Sequence, residues 1–436
     1  MSAQSFFHGQ SVREGAGATG YRPDMRSKNV ISGLARAILI ASAVVLMSAA
    51  ARATEPSPQG SAELLLGADA SGANWTVAPD VQSDGFVWIF TVKSLYGDFQ
   101  VSGLRRMRER AHELRALHAL ELMSRTKAFG DALVNAGLAP IRFGRDLIVD
   151  PITTVGNLAS GVGRIFDKVV SNVKNPGAGR DPFFDNITGI TKAERDLAFS
   201  LNVDPYTDFK PLRSGLEDVA QATAAGVFPV TAALSTISGG AGIAISATST
   251  ASQVAAPYYL STSRQIAEIV TKKLRGLGVD EQAIKGFVEN TFYSPVDDLA
   301  IAGALETLNA ANASIFIERA ALADSFDVAK FNRYRVELLA RDSVRLGTLK
   351  EFILVSGLAL NRDASGRVVA AFPFDEIAWT EGVSKSLTQL ATDISAHSGA
   401  SRPLFASTGL LSAISEAELR KLGLETMHLE ASGDQI

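Results

Sequence analysis

The segment from Val219 to Ser263 contains no Asp, Glu, Lys, Arg or His, which limits what its 45 residues can become. A charge-free stretch this long is a membrane element, a glycine-rich phosphate loop or the interior of a helical protein. Twelve of its residues are Ala, thirteen Ser or Thr, four Gly and only ten Val, Ile, Leu or Phe. From Gly226 to Ile245 seven strongly apolar residues offer about −0.3 to −0.6 kcal/mol each for insertion, which Pro229, the glycines and the hydroxyls offset, so isolated spanning is marginal. Small residues instead let two helices meet closely and let hydroxyls bond back to the helix. The expectation is a tightly packed helical hairpin that turns at Gly239 and Gly240. Membrane insertion of the same hairpin is its rival.

The phosphate-loop reading fails on spacing. Gly239, Gly240 and Gly242 lack the third fingerprint glycine, no acid follows until Glu268, and no Lys-Ser/Thr pair completes a P-loop. No nucleotide cofactor is expected, nor any other cofactor. His112 and His118 lie six residues apart, about 240° around a helix instead of on one face, and no metal site is expected there. Asn361, Asp363 and Ser365 resemble the start of a calcium loop, but Phe372 stands where a bidentate Glu is needed, so a turn between strands is expected.

Arg22, Arg26 and Lys28 precede the apolar run Ala37 to Met47 and an A-x-A sequence ending at Ala53, the pattern of a cleaved secretory signal. Met25 is an alternative start. Residues 1–53 hold six basic and two acidic residues; with 42 Lys and Arg against 46 Asp and Glu in all, the remainder carries 36 against 44, or −8. That acidic balance excludes binding driven by phosphate neutralisation, and no nucleic-acid partner is expected. The absence of cysteine excludes disulfides and thiol chemistry. An exported protein, periplasmic or associated with the cell envelope, is the expectation.

Periodicity divides the rest. Residues 54–102 read as a linker and an aromatic β-ribbon, in which Phe86, Trp88 and Phe90 alternate with Val87, Ile89 and Thr91. Residues 103–347 read as a helical domain. Its start signals include a Thr191/Glu194 capping box, Asp280, and Ser294-Pro295 with Asp297. The apolar stripe Ile152, Val155, Ala159, Val162, Phe166, Val169 and Val173 marks an amphipathic helix opening at Asp150-Pro151. Residues 348–436 read as a small α+β domain. The fold class expected is mainly α: a multi-helix bundle preceded by a short β-ribbon and followed by that domain.

Arg105, Arg106, Arg108 and Arg110 crowd the start of a helix, where cations oppose the macrodipole. They await either an anionic partner, such as a lipid head group or an acidic loop, or pairing with Glu109 and Glu113. Asp375 and Glu376 follow a strand and open a predicted helix; they are the weak candidates for catalysis. The leading expectation is a non-catalytic cell-envelope or interaction protein that touches membrane lipid or another envelope protein. The contacts would come from Gly239, Gly240, Ile152, Val155, Val162, Phe166 and the four arginines. The alternative is a periplasmic hydrolase with acids near Asp375 in a cleft between the helical and C-terminal domains. Replacing Gly239 and Gly240 together by Leu is expected to lower the melting temperature by crowding the hairpin; unchanged melting would refute close packing there.

Overall fold

A computed structural model of the chain describes residues 54–135, 137, 164–171, 190–224, 261–399 and 401–431. All belong to one compact unit, Thr54–Ile436. It opens with β1 (Gln59–Ser61), α1 (Ala62–Leu66), a 3-10 turn (Gly67–Ala70), β2 (Ser71–Gly72), β3 (Trp75–Val77), β4 (Asp80–Ser83), β5 (Trp88–Ser94) and β6 (Phe99–Ser102). Helices follow: α2 (Leu104–Ser124), α3 (Lys127–Asn135), α4 (Arg164–Ser171), α5 (Lys192–Ser200), α6 (Lys210–Ala224), α7 (Ser263–Gly276), α8 (Glu281–Val288), α9 (Pro295–Leu308), α10 (Ala313–Ala320) and α11 (Phe326–Asp342). The chain closes with β7 (Leu349–Val355), β8 (Leu358–Asp363), β9 (Val368–Phe372), β10 (Glu376–Ile377), α12 (Glu381–His397), β11 (Leu404–Ser407), β12 (Leu410–Leu411), α13 (Ala413–Lys421) and β13 (Glu425–His428).

The expectation of a mainly α bundle is corrected. Of the described residues 52% are helical and 19% lie in strands, and the helices are divided among cores that the sheets help to build. The ribbon is a six-stranded antiparallel sheet in the order β1-β4-β5-β3-β2, with β6 also on β5. Its short outer strands carry too few residues for period-2 patterning to reveal them. Trp88 and Phe90 point into a core shared with α2, α5 and α6, as their alternation predicts, whereas Phe86 joins the core of α12, α13 and α4.

The C-terminal sheet runs β13-β11-β9-β8-β7, with β13, β11 and β9 parallel and the rest antiparallel. It is a wall between two cores. Along β9, Val369 and Ala371 face the core of α7 to α11, while Val368, Ala370 and Phe372 face α12, α13 and α4. Two buried faces explain why this strand reads as an unbroken apolar run. Ser356 and Gly357, at φ 53° and 80°, form a two-residue turn inside the stretch from Glu351 to Leu360, which therefore folds as a hairpin and not as one strand. Asp363 accepts from the amides of Ser365 and Arg367 at 2.9 and 3.0 Å, the local turn expected in place of a calcium loop.

Capping follows the sequence closely. The Thr191 hydroxyl accepts from Glu194 N–H at 3.2 Å, Asp280 from Gln282 and Ala283 at 3.0 and 2.9 Å, and Ser294 from Asp297 at 3.1 Å. The signal segment, most of the stripe before Arg164, and the glycines of the expected hairpin lie outside the described residues.

The two sheets meet around Gly85. Its carbonyl accepts from Ala378 N–H at 3.1 Å, the Phe86 carbonyl accepts from Asp375 N–H at 2.9 Å, and the Phe86 ring stacks on Phe374 with centroids 4.4 Å apart. Gly85 has φ 96°, and a Cβ there would stand 2.6 Å from Val383 Cγ2. Gly85→Ala is expected to cost about 2 to 4 kcal/mol in denaturant unfolding, from backbone strain plus overpacking. A loss below about 0.5 kcal/mol would contradict this contact between the layers.

Candidate functional site

Ionisable groups converge where α2 meets α11. On α2, Arg106, Glu109, Arg110 and Glu113 stand at i, i+3, i+4 and i+7; on α11, Lys330, Arg333, Tyr334 and Glu337 repeat that spacing. This is the periodicity of a buried helix face, occupied here by charge. The loop after α5 adds Asp204, Thr207 and Asp208, and the start of α9 adds Ser294, Asp297 and Asp298.

Each cation meets an acid. Arg106 donates to both oxygens of Asp208, which Arg110 also reaches at 3.1 and 3.2 Å. Arg110 pairs with Glu113 at 2.8 Å, and the Thr207 hydroxyl donates to Glu113. Arg105 lies 2.7 Å from Glu337 and stacks over the Tyr334 ring at 4.0 Å. Lys330 and Arg333 both donate to Asp297 Oδ1 at 2.7 Å. The arginines thus pair within their helix, Arg105 and Arg106 with Glu109 at 3.7 and 3.3 Å and Arg110 with Glu113, and also with Asp208, about a hundred residues along the chain. The Arg108 side chain makes no ion pair among the described residues.

Burial and charge push these carboxyls apart. For Asp208, burial favours the neutral acid, but Arg106 and Arg110 outweigh it and hold the group far below the usual carboxylate range. Asp297 is held down against burial by Lys330 and Arg333. Asp204 goes the other way: burial, with Asp297 as a like charge, raises it to about 6 against the pull of Lys330 and of the Ser294 hydroxyl, which donates to it at 2.6 Å. Burial and the Asp297 charge raise Asp298 well above its ordinary value, and its Oδ1 has no hydrogen-bond partner.

A base-like acid beside a serine suggests nucleophilic chemistry, but the space is absent. The cavity bounded by Glu113, Asp204, Thr207, Asp208, Ser294 and Lys330 measures about 20 Å³, room for about one water molecule. The Ser294 oxygen is already accepting from Asp297 N–H as the cap of α9. Among the described residues, no group of three or more His, Asp or Glu could hold a metal ion. The ion pairs connect α2 to the loop after α5 and α9 to α11.

Asp375 and Glu376 do not open a helix; α12 begins at Glu381, after the Thr380 cap, and Glu376 enters the two-residue strand β10. Asp375 Oδ2 accepts from Trp88 N–H and Leu104 N–H, both at 2.9 Å. It thereby takes up the first free amide of α2, which Gly103, having no side chain, cannot cap. Burial raises Asp375 to about 7, with Asp84 and Glu376 adding like charge, although the two amides pull it down. Phe166 is 2% exposed, within a ring cluster that includes Phe86, Phe372 and Phe374. Ile152, Val155, Val162, Gly239 and Gly240 lie outside the described residues.

Sequence reasoning passed over Asp204, Asp208, Asp297 as an ion-pair partner, Lys330 and Arg333. The signal that finds them is the doubled i, i+3, i+4, i+7 charge spacing on two separate helices.

Asp204 fixes the sign of one pH effect. Between about pH 4 and 6 the unfolded carboxylate gives up its proton while the folded one keeps it, so stability from this group is complete below about pH 4 and falls as pH rises. Wild type minus Asp204→Asn stability is therefore expected to decline by about 3 kcal/mol over that window and stay flat above it. Parallel stability curves for the two proteins would refute this. No protein-family model, no curated protein and no solved structure matches the chain.

Proposed function

We propose that the chain is an exported, non-catalytic cell-envelope or interaction protein, a scaffold that touches membrane lipid or another envelope protein. The observation that carries the non-catalytic part is the ionic seam between α2 and α11, whose groups face one another around a space of about 20 Å³. A reaction centre needs ionisable groups beside room for substrate. A hydrolase centred on Asp375 finds less support, because Asp375 Oδ2 is taken by two backbone amides.

For export, the support is the n-region, h-region and A-x-A sequence ending at Ala53. The compact unit begins at the next residue, Thr54. No cysteine is present to misoxidise outside the cytosol. Among the described residues no helix is long and apolar enough to cross a membrane. Contact with the envelope is assigned to the charge-free segment Val219 to Ser263, as a peripheral attachment.

Fractionation of cells expressing the full chain tests this. The expected product is a processed chain in the envelope or periplasmic fraction, released by carbonate or high salt. Retention until detergent is added would overturn peripheral attachment, and an unprocessed chain in the cytosol would overturn export.

A further inference from the structure

The loop between α5 and α6 straddles two cores. Val203 and Phe209 pack with the N-terminal sheet, α2 and α6, whereas Tyr206, 1% exposed, lies in the core of α7 to α11. Two aspartates fasten this loop, and they do so by different chemistry. Asp208 is bound to α2 by Arg106 and Arg110, whose guanidiniums keep it ionised. Asp204 ties the loop to α9 and makes no ion pair among the described residues. Its Oδ2 accepts from the Ser294 hydroxyl at 2.6 Å and its Oδ1 from Tyr206 N–H at 2.8 Å. The same serine brings a second carboxylate close, since Ser294 N–H donates to Asp297 Oδ2 at 3.1 Å.

Facing Asp204 are Asp297 from α9, Lys330 from α11, Arg213 from α6 and Tyr206 from the loop itself, with Glu113 of α2 and Asp208 across the small cavity. Neither cation is committed to it: Lys330 donates to Asp297 Oδ1 at 2.7 Å, and Arg213 to the Pro205 carbonyl at 3.2 Å. Two carboxylates beside one serine favour a proton on the one without a cation. Burial first, with Asp297 adding like charge, raises Asp204 to about 6. Asp204 keeps partial exposure, so solvent protons reach it.

We propose that Asp204 is a proton-operated catch between the two cores. With its carboxyl neutral, the loop stays on α9; with it ionised, repulsion from Asp297 lets the Tyr206 part lift while Asp208 keeps the rest on α2. A proton held more tightly in the closed loop than in the open one favours closure at low pH, and that advantage is lost as pH rises through about 6. His112 acts with the opposite sign at the start of the loop, where Nε2 lies 3.2 and 3.1 Å from the Leu201 and Asn202 carbonyls. Burial, then Arg115, holds its imidazole below the usual range against the pull of those carbonyls, so acid loosens that contact.

Residue-resolved amide hydrogen exchange of the full chain between about pH 4.5 and 7.5, each rate divided by its unfolded-peptide value at that pH, tests the catch. In wild type, opening at the Tyr206 and Thr207 amides relative to Phe209 is expected to rise about 20-fold over that range and to level off above about pH 6. Asp204→Asn, checked for folding by circular dichroism, is expected to remove the rise while keeping the His112 effect. A relative change within about threefold in wild type overturns the proposal. So does an equal rise at Phe209, which means that the whole loop or the whole protein opens, and so does a rise that persists in folded Asp204→Asn. The wild-type comparison decides alone if the variant does not fold. Global stability that follows Asp204 without this local difference leaves the stability effect standing and removes only the catch.

Discussion

Asp208 and Asp297, each held between two cations, set how the helical layers meet. Neither is a source of large net stability, since desolvating such groups costs about as much as their attraction returns. Their effect is on alternatives. Sliding α11 along α9 by one turn would strand Lys330 and Arg333, and shifting the loop after α5 along α2 would strand Arg106 and Arg110, without a carboxylate in a buried place, at a cost of several kcal/mol. The apolar cores on either side tolerate repacking more readily than the seam tolerates misregistry.

The same seam bears on the proposed function. A tight cluster of ionisable groups with divergent proton affinities is the usual mark of a reaction centre. Here Asp204, Asp297 and Asp298 diverge for a different reason, namely unequal shares of Lys330 and Arg333 in a closed interior. Proton affinity reports environment, and only adjoining space turns environment into chemistry.

What could be read in advance was local. The caps at Thr191, Asp280 and Ser294 depend on residues three apart, and the alternation of Trp88 and Phe90 on residues two apart. The partners of Arg106 and Asp375 lie 102 and 271 residues away, at positions that only the completed topology brings close. The arginine run therefore pointed to a need for anions without saying where they are. The bundle expectation failed for a related reason: helical periodicity tells that a face is buried, but not whether a helix or a sheet covers it. Two-residue strands such as β2 and β10 are recognised by their pairing alone.

The sheet that separates the two cores has a consequence for the order of assembly. β9 and β11 follow the helices from Ser263 to Asp342 along the chain, yet those helices and the ones after Thr380 both need them as an inner lining. The cores on the two faces of this sheet therefore lack a wall until the chain has been made as far as Ser407.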